Sequence, residues 1–179
     1  TFDDSGRFVL QQQADREQKE IITIEEISML ASSDYNLEEV LMAVVEKTAA
    51  RLGLDICSVY LWDGEYLVLR ASHGLAQEAL GKAKLKIGEG ITGSAVEARR
   101  PILVEDVSKD PRYRYFAETK EEQYKIKTMY SYPIFLGEKP FGVLNLQTVV
   151  AREFSEDEIY FMSVIANLIL GAVKMRKRL

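Results

Sequence analysis

The stretch Ile56-Cys57-Ser58-Val59-Tyr60-Leu61-Trp62, Asp63-Gly64, Tyr66-Leu67-Val68-Leu69-Arg70-Ala71-Ser72-His73 decides the fold. Both arms are rich in strand-forming residues, and Asp63-Gly64 between them is a tight-turn pair, so an antiparallel hairpin is predicted. In the first arm Cys57, Val59 and Leu61 point one way, while Ser58, Tyr60 and Trp62 point the other. Both faces of this strand are therefore covered, the second by something that tolerates hydroxyls and rings.

Upstream of the hairpin the pattern changes to a helical period. A polar extension over 1–15 leads into a helix from Arg16, with Ile21, Ile24, Ile27 and Ala31 on one side. Ser32, Ser33 and Asp34 interrupt it. Asn36 then caps a second helix with Glu39 three residues on. Leu37, Val40, Leu41, Val44, Thr48 and Leu52 form its apolar stripe, and Gly53 closes it. Downstream, a short strand over 85–87, a short helix over 90–99 and a strand over 101–104 precede an irregular segment over 105–127. A second hairpin, 128–135 and 141–149, turns at Gly137. The last helix opens on a capping box, Ser155 with Glu158, flanked by the apolar staple Phe154 and Ile159. Glu156 and Asp157 suit its positive end, and Lys174, Arg176, Lys177 and Arg178 its negative end. Its length of roughly 34 Å exceeds what one small sheet needs and predicts continuation toward a neighbouring domain or partner helix. This order fits an α+β fold, an antiparallel sheet with a helical layer on one face and short helices and loops on the other.

Net charge and cysteine usage narrow the function. At −5 over 179 residues, the chain lacks the basic excess of a nucleic-acid-binding domain. A single cysteine, Cys57, precludes an intramolecular disulfide and fits a reducing, cytoplasmic setting. The polar, acidic start is unlike a signal peptide, and the apolar run 161–173 is shorter than the ~18 residues of a membrane span, so a soluble protein is expected. A first residue other than methionine, with a charged helix at the far end, predicts a piece of a larger protein.

Gly88-Glu89-Gly90-Ile91-Thr92-Gly93 matches the dinucleotide fingerprint, with Asp106 near the spacing of a ribose-binding acid. The strand before it contains Lys84 and Lys86, where a central parallel strand would be almost wholly apolar. The glycines are read instead as a tight strand-to-helix turn, whose helix start favours an anionic group. One cysteine and one histidine, His73, do not make a zinc site or a nucleophile triad. No metal and no cofactor are therefore predicted. Pro111, Arg112, Tyr113, Arg114, Tyr115 and Phe116 precede a charged run over 118–127. They read either as a solvated loop packing its rings on the sheet or as a lid over the face bearing Tyr60 and Tyr132.

Cys57-Ser58-Val59-Tyr60-Leu61-Trp62-Asp63, Ile87-Gly88-Glu89-Gly90-Ile91-Thr92-Gly93 and Pro101-Ile102-Leu103-Val104-Glu105-Asp106 resemble successive segments of the GAF domain family. So do Tyr132-Pro133-Ile134, Gly142-Val143-Leu144-Asn145-Leu146-Gln147 and Phe154-Ser155-Glu156-Asp157-Glu158. Within the family, 74–93, 119–122 and Gln147 look most like the N-terminal GAF domain of nitrogen-branch phosphoenolpyruvate–protein phosphotransferases. The resemblance implies a central antiparallel sheet of about six strands with a ligand pocket on one face. It also implies terminal helices bundled on the other face, pairing two copies in parallel and passing signals to an output domain. Asn145 is followed by Leu146 rather than lysine, against cyclic-nucleotide binding. No cysteine–histidine pair suits a bilin, and one cysteine cannot form the disulfide of the methionine sulfoxide reductases of this fold.

The expected organisation is an extension over 1–15, a signalling and dimer helix over 16–33, a GAF core over 34–154 and an output-directed helix over 155–179. The leading function is a non-catalytic sensor of a small metabolite, an amino acid, keto acid or related anion. It would lie between the sheet and segments 88–99 and 106–124, with Tyr60, Arg70, Thr92, Tyr113 and Tyr132 as lining residues. Two alternatives stand beside it. A ligand-free dimerisation module would work through Ile21, Ile24, Phe161, Ile165, Leu168 and Ala172, and a thiol redox enzyme through Cys57.

Overall fold

The computed structural model describes residues 4–114 and 117–177. Tyr115 and Phe116 of the aromatic loop and Arg178 of the basic tail lie outside the described residues.

Helix α1 (Asp4–Ala31) begins well before Arg16, so the polar extension is itself helical from Asp4 on. Its side chains stay exposed as far as Lys19. Pairs one turn apart, Gln11 to Asp15 at 3.1 Å and Gln13 to Glu17 at 3.3 Å, support it without packing. Helix α2 (Leu37–Leu52) starts where Asn36 Oδ1 accepts the Glu39 amide at 2.9 Å, and ends on Gly53 at φ 66°.

The strands are β1 (Ile56–Trp62), β2 (Leu67–His73), β3 (Lys84–Leu85), β4 (Ile102–Val104), β5 (Thr128–Leu136) and β6 (Lys139–Thr148). They form one sheet in the order β3-β2-β1-β6-β5-β4, antiparallel throughout. The decisive hairpin turns where Asp63 Oδ1 accepts the amides of Glu65 at 2.8 Å and Tyr66 at 2.7 Å. Side-chain alternation in β1 follows the expected parity. Cys57, Val59 and Leu61 join the core beneath the helices, while Ile56 and Tyr60 join the cluster on the other face.

Helices α1, α2 and α4 (Glu156–Lys177) cover the first face. The α4 capping box forms as written, with Ser155 Oγ accepting the Glu158 amide at 3.1 Å and Glu158 Oε1 accepting the Ser155 amide at 3.0 Å. Two arginines tie this layer together. Arg152 donates to Leu52 O at the end of α2 and, at 2.5 Å, to Glu158. Arg176, near the end of α4, donates to Ala31 O at 2.7 Å, Tyr35 O at 2.9 Å and Ser33 O at 3.1 Å, and so caps α1 from outside.

By length and average hydropathy α4 matches a membrane span, which the reading of uninterrupted apolar runs did not show. In this fold Phe161, Met162, Ile165, Ala166, Ile169, Ala172 and Val173 are buried in the domain core. That also corrects the expected dimer surface. Phe161, Ile165 and Ala172 are core residues, and Ile24 and Leu168 are half-buried against the core. Ile21 is 56% exposed, and Tyr160 on α4 is 71% exposed beside it in the same surface groove. A stripe that is apolar around much of the helix cannot reveal from spacing alone which side the monomer consumes.

The other face of the sheet carries helix α3 (Gly90–Ala98) and the 105–127 segment, which is organised by single 3₁₀ turns at Val107–Lys109, Ala117–Thr119 and Glu121–Tyr124. Tyr124 fastens this segment down by donating to Gly74 O at 2.5 Å, and the Ala76 amide donates to Thr119 O at 3.0 Å.

Candidate ligand cavity

Alternation along β5 and β6 lays a row of polar side chains across the second face. Ser131 Oγ donates to Asn145 Oδ1 at 2.7 Å, and Asn145 Nδ2 donates to Thr92 Oγ1 at 2.8 Å. Two residues further along β6, Gln147 Nε2 donates to Glu121 Oε1 at 2.8 Å, and Tyr113 donates its phenol proton to the other oxygen of Glu121. Sheet, α3 and the covering segment are thus joined by buried hydrogen bonds.

These groups surround a cavity of about 20 Å³ lined by Tyr60, Thr92, Tyr113, Met129, Glu121 and Asn145, among others. That volume holds about one water molecule. The first turn of α3 opens on it through Gly90, Ile91 and Thr92. The first intrahelical bond runs from the Gly93 amide to Glu89 O at 2.9 Å, and the side chain of Glu89 provides no cap. The amides of Gly90, Ile91 and Thr92 therefore have no intrahelical acceptor and form the positive end of the helix dipole beside the cavity. Gly93 is required because a Cβ there would sit 2.4 Å from Lys86 O, so the strand could not approach the helix this closely.

Tyr60 is 5% exposed, and among the described residues its hydroxyl has no hydrogen-bond partner. Burial, and after it the nearby Glu121 charge, push this phenol upward and keep it a neutral donor. Burial also raises the Glu121 carboxyl, against the lowering effect of its bonds from Tyr113 and Gln147. Arg114 reaches the cavity from the covering segment, its guanidinium held by Pro111 O at 3.0 Å and Tyr113 O at 3.1 Å.

Of the expected lining residues, Tyr60, Thr92 and Tyr113 come together here. Arg70 and Tyr132 do not, and strand geometry explains both corrections. Val59 pairs with Ala71 but Tyr60 with Leu69, which makes Arg70 an extra residue in β2. Stepping back by twos from Ser72, bonded to Ser58 at 2.8 Å on the cavity side, would bring Arg70 there too. The bulge turns it to the helix face, where it pairs with Glu38 of α2 at 2.8 Å. Tyr132 lies opposite Leu144, and both belong to the helix-face core; its neighbour Ser131 takes the cavity side.

Asn145, Glu121 and Gln147 were missed. Parity from Val143, the partner of Tyr60, gives away Asn145 and Gln147, since polar residues alternating with Leu144 and Leu146 belong to a polar hollow. Nothing distinguishes Glu121 within its charged run.

Cys57 lies on the helix face, fully buried, and burial first and Glu46 second push its thiol upward. Among the described residues no group of histidine, cysteine and carboxylate side chains could hold a metal ion. The chemistry on offer is recognition, with the start of α3, a neutral phenol, the Arg114 side chain and the carboxyls of Glu89 and Glu121 around a water-sized hollow.

Known proteins resemble this chain in sequence and fold. The chain is 28% identical over 165 residues to a Nif-specific regulatory protein of Azospirillum brasilense, covering 88% of this chain and 26% of that protein. It is 29% identical over 145 residues to a phosphoenolpyruvate-dependent phosphotransferase system protein of Escherichia coli K12, covering 80% and 19%. The chain therefore spans about a quarter or less of these relatives. The solved GAF domain of a phosphoenolpyruvate-protein phosphotransferase from Coxiella burnetii superposes with a TM-score of 0.80 at 28% identity, covering 90% of this chain and 96% of that one. The family model described as GAF domain matches residues 36–173, from the capped start of α2 into the last turns of α4, and the chain belongs to the GAF domain family.

Proposed function

We propose that this GAF domain is a non-catalytic regulatory sensor of a small anionic metabolite, an amino acid, keto acid or related carboxylate, within a cytoplasmic signalling protein. The observation that carries the reading is the uncapped first turn of α3 opening on the same cavity as the Tyr60 hydroxyl, unpartnered among the described residues, and the side chain of Arg114. Relatives named as Nif-specific regulators and as a phosphotransferase system protein support a regulatory role. A metabolite exceeds 20 Å³, so entry displaces Tyr113 and Glu121, and the bonds that Glu121 accepts from Tyr113 and Gln147 are those that must yield. Ligand state then passes through α1 and α4, which also join two copies along the exposed side bearing Ile21 and Tyr160. The thiol alternative is disfavoured by the burial of Cys57.

The small cavity favours one other reading, a dimerisation module whose hollow is filled by its own side chains. A thermal-shift screen of metabolite carboxylates separates the two. At a hundred times the dissociation constant a ligand stabilises by about 2.7 kcal/mol, which for a domain of this size raises Tm by about 5–10 °C. Tyr60→Phe and Thr92→Val should each reduce the shift. If no carboxylate raises Tm, or if these substitutions leave the shift intact, the sensor assignment to this cavity fails.

A further inference from the structure

A second hollow lies at the opposite end of the signalling layer and owes nothing to the sensor reading. It measures about 390 Å³ and sits where the β5–β6 hairpin meets the last turns of α4. Leu61, Phe141 and Val173 form its apolar wall, with Trp62 beside them at the end of β1, its ring on the other face of the sheet, and Leu136, 41% exposed, at the rim. Three cations surround that wall, Lys139 from β6 and Lys174 and Lys177 from α4. Among the described residues none of the three forms an ion pair, and the ammonium of Lys177 stands 5.9 Å from the Phe141 ring centroid. Glu138, in the adjoining turn, does not line the hollow.

Charge decides the occupant. In a chain of net charge −5, three unpaired lysines around an apolar floor are a local excess of the opposite sign. A purely apolar guest would leave the ammonium groups without counter-charge at the mouth, and a small inorganic anion would leave the apolar wall uncovered. We propose that this hollow binds a small amphipathic organic anion, an acyl or aryl body seated on Leu61, Phe141 and Val173 with its carboxylate, sulfonate or phosphate among Lys139, Lys174 and Lys177. The volume lies within the range of small-molecule sites. Because two of the lysines and Val173 belong to the end of α4, occupancy holds that end of the helix against β1 and the β5–β6 hairpin.

Trp62, next to Leu61 of the wall, is the only tryptophan in the chain and serves as the reporter. The probe is anilinonaphthalene sulfonate, an anionic apolar dye that accepts excitation energy from tryptophan. Titration into the full chain should give saturable, one-to-one energy transfer from Trp62 that weakens with added salt. Lys139→Glu/Lys174→Glu/Lys177→Glu should weaken binding by at least about tenfold. Phenylnaphthylamine, which has the rings without the sulfonate, should bind wild type at least about tenfold more weakly and needs no folded variant. Decanoate should displace the sulfonate dye. The assignment is overturned if the neutral dye binds as tightly as the anionic one, if the charge-reversed variant binds unchanged, or if the anionic dye gives no saturable transfer. Dye affinity that falls as protein concentration rises would also overturn it, since a second copy would then be the occupant.

Discussion

Replacing Asn145 by leucine removes the central member of the buried chain Ser131–Asn145–Thr92 while nearly conserving volume. Asn145 is 2% exposed, Ser131 0% and Thr92 6%. The substitution therefore leaves the Ser131 hydroxyl without its acceptor and Thr92 Oγ1 without its donor, both away from bulk water. Each buried polar group left unsatisfied costs about 1–3 kcal/mol, so the loss is about 2–5 kcal/mol, slightly offset by the apolar surface that leucine buries. For a domain of this size that lowers Tm by roughly 5–15 °C. The assay is calorimetric or denaturant unfolding of Asn145→Leu, Ser131→Ala/Thr92→Val and the triple variant. Once all three partners are apolar nothing remains unsatisfied, and the triple variant should regain more than half of the loss. If the triple variant is no more stable than Asn145→Leu alone, the penalty arises from packing, and the network that ties α3 to the sheet does not carry the assigned energy.

Burial raises the Glu121 carboxyl, so the folded protein keeps a proton that the unfolded chain releases. The stability this adds is complete below the ordinary carboxylate value and is lost as pH rises through the folded-state value. Glu121→Gln, which cannot titrate, should flatten that part of a Tm-versus-pH curve, and an unchanged curve would refute the assignment. Arg176→Gln should cost about 2 kcal/mol by uncapping α1 at Ala31, Ser33 and Tyr35, with faster amide exchange in the last turn of α1 as the local readout. Arg176→Lys keeps the charge but not the planar fork and should recover less than half.

Local chemistry made the elements legible. Asn36 and Gly53 delimit α2, Asp63 folds the first hairpin and Ser155 with Glu158 starts α4, each through bonds spanning a few residues. Alternation in β1 assigned both faces because Cys57, Val59 and Leu61 contrast with Ser58 and Tyr60 in polarity and size. Legibility stopped where a face depended on a distant partner. The bulge at Arg70 arises from pairing between β1 and β2, and no residue type in Leu69-Arg70-Ala71 marks it. Tyr132, with an apolar body and polar tip, suits either side of β5. The partition of α1 and α4 between core and surface depends on their packing against each other and against α2, which spacing within one helix does not encode.

Strand β6 links the two layers. Val143, Asn145 and Gln147 meet the cavity side, while Leu144 and Leu146, one residue out of phase, pack beneath the helices. A ligand that pulls on Thr92 or Glu121 therefore acts on the backbone that seats α4. On the proposed sensor reading, α4 could answer by sliding along α1 and α2 or by carrying them with it. Sliding breaks the bonds of Arg176 to the end of α1 and those of Arg152 to the end of α2. Coupling free energies between sites run to about 1–3 kcal/mol, less than the roughly 4 kcal/mol lost if both arginines let go at about 2 kcal/mol each. A sliding helix would exhaust the available energy on its own caps. The less costly response is motion of α1, α2 and α4 as one body over the sheet, changing the angle at which α1 and α4 present Ile21 and Tyr160 to a second copy.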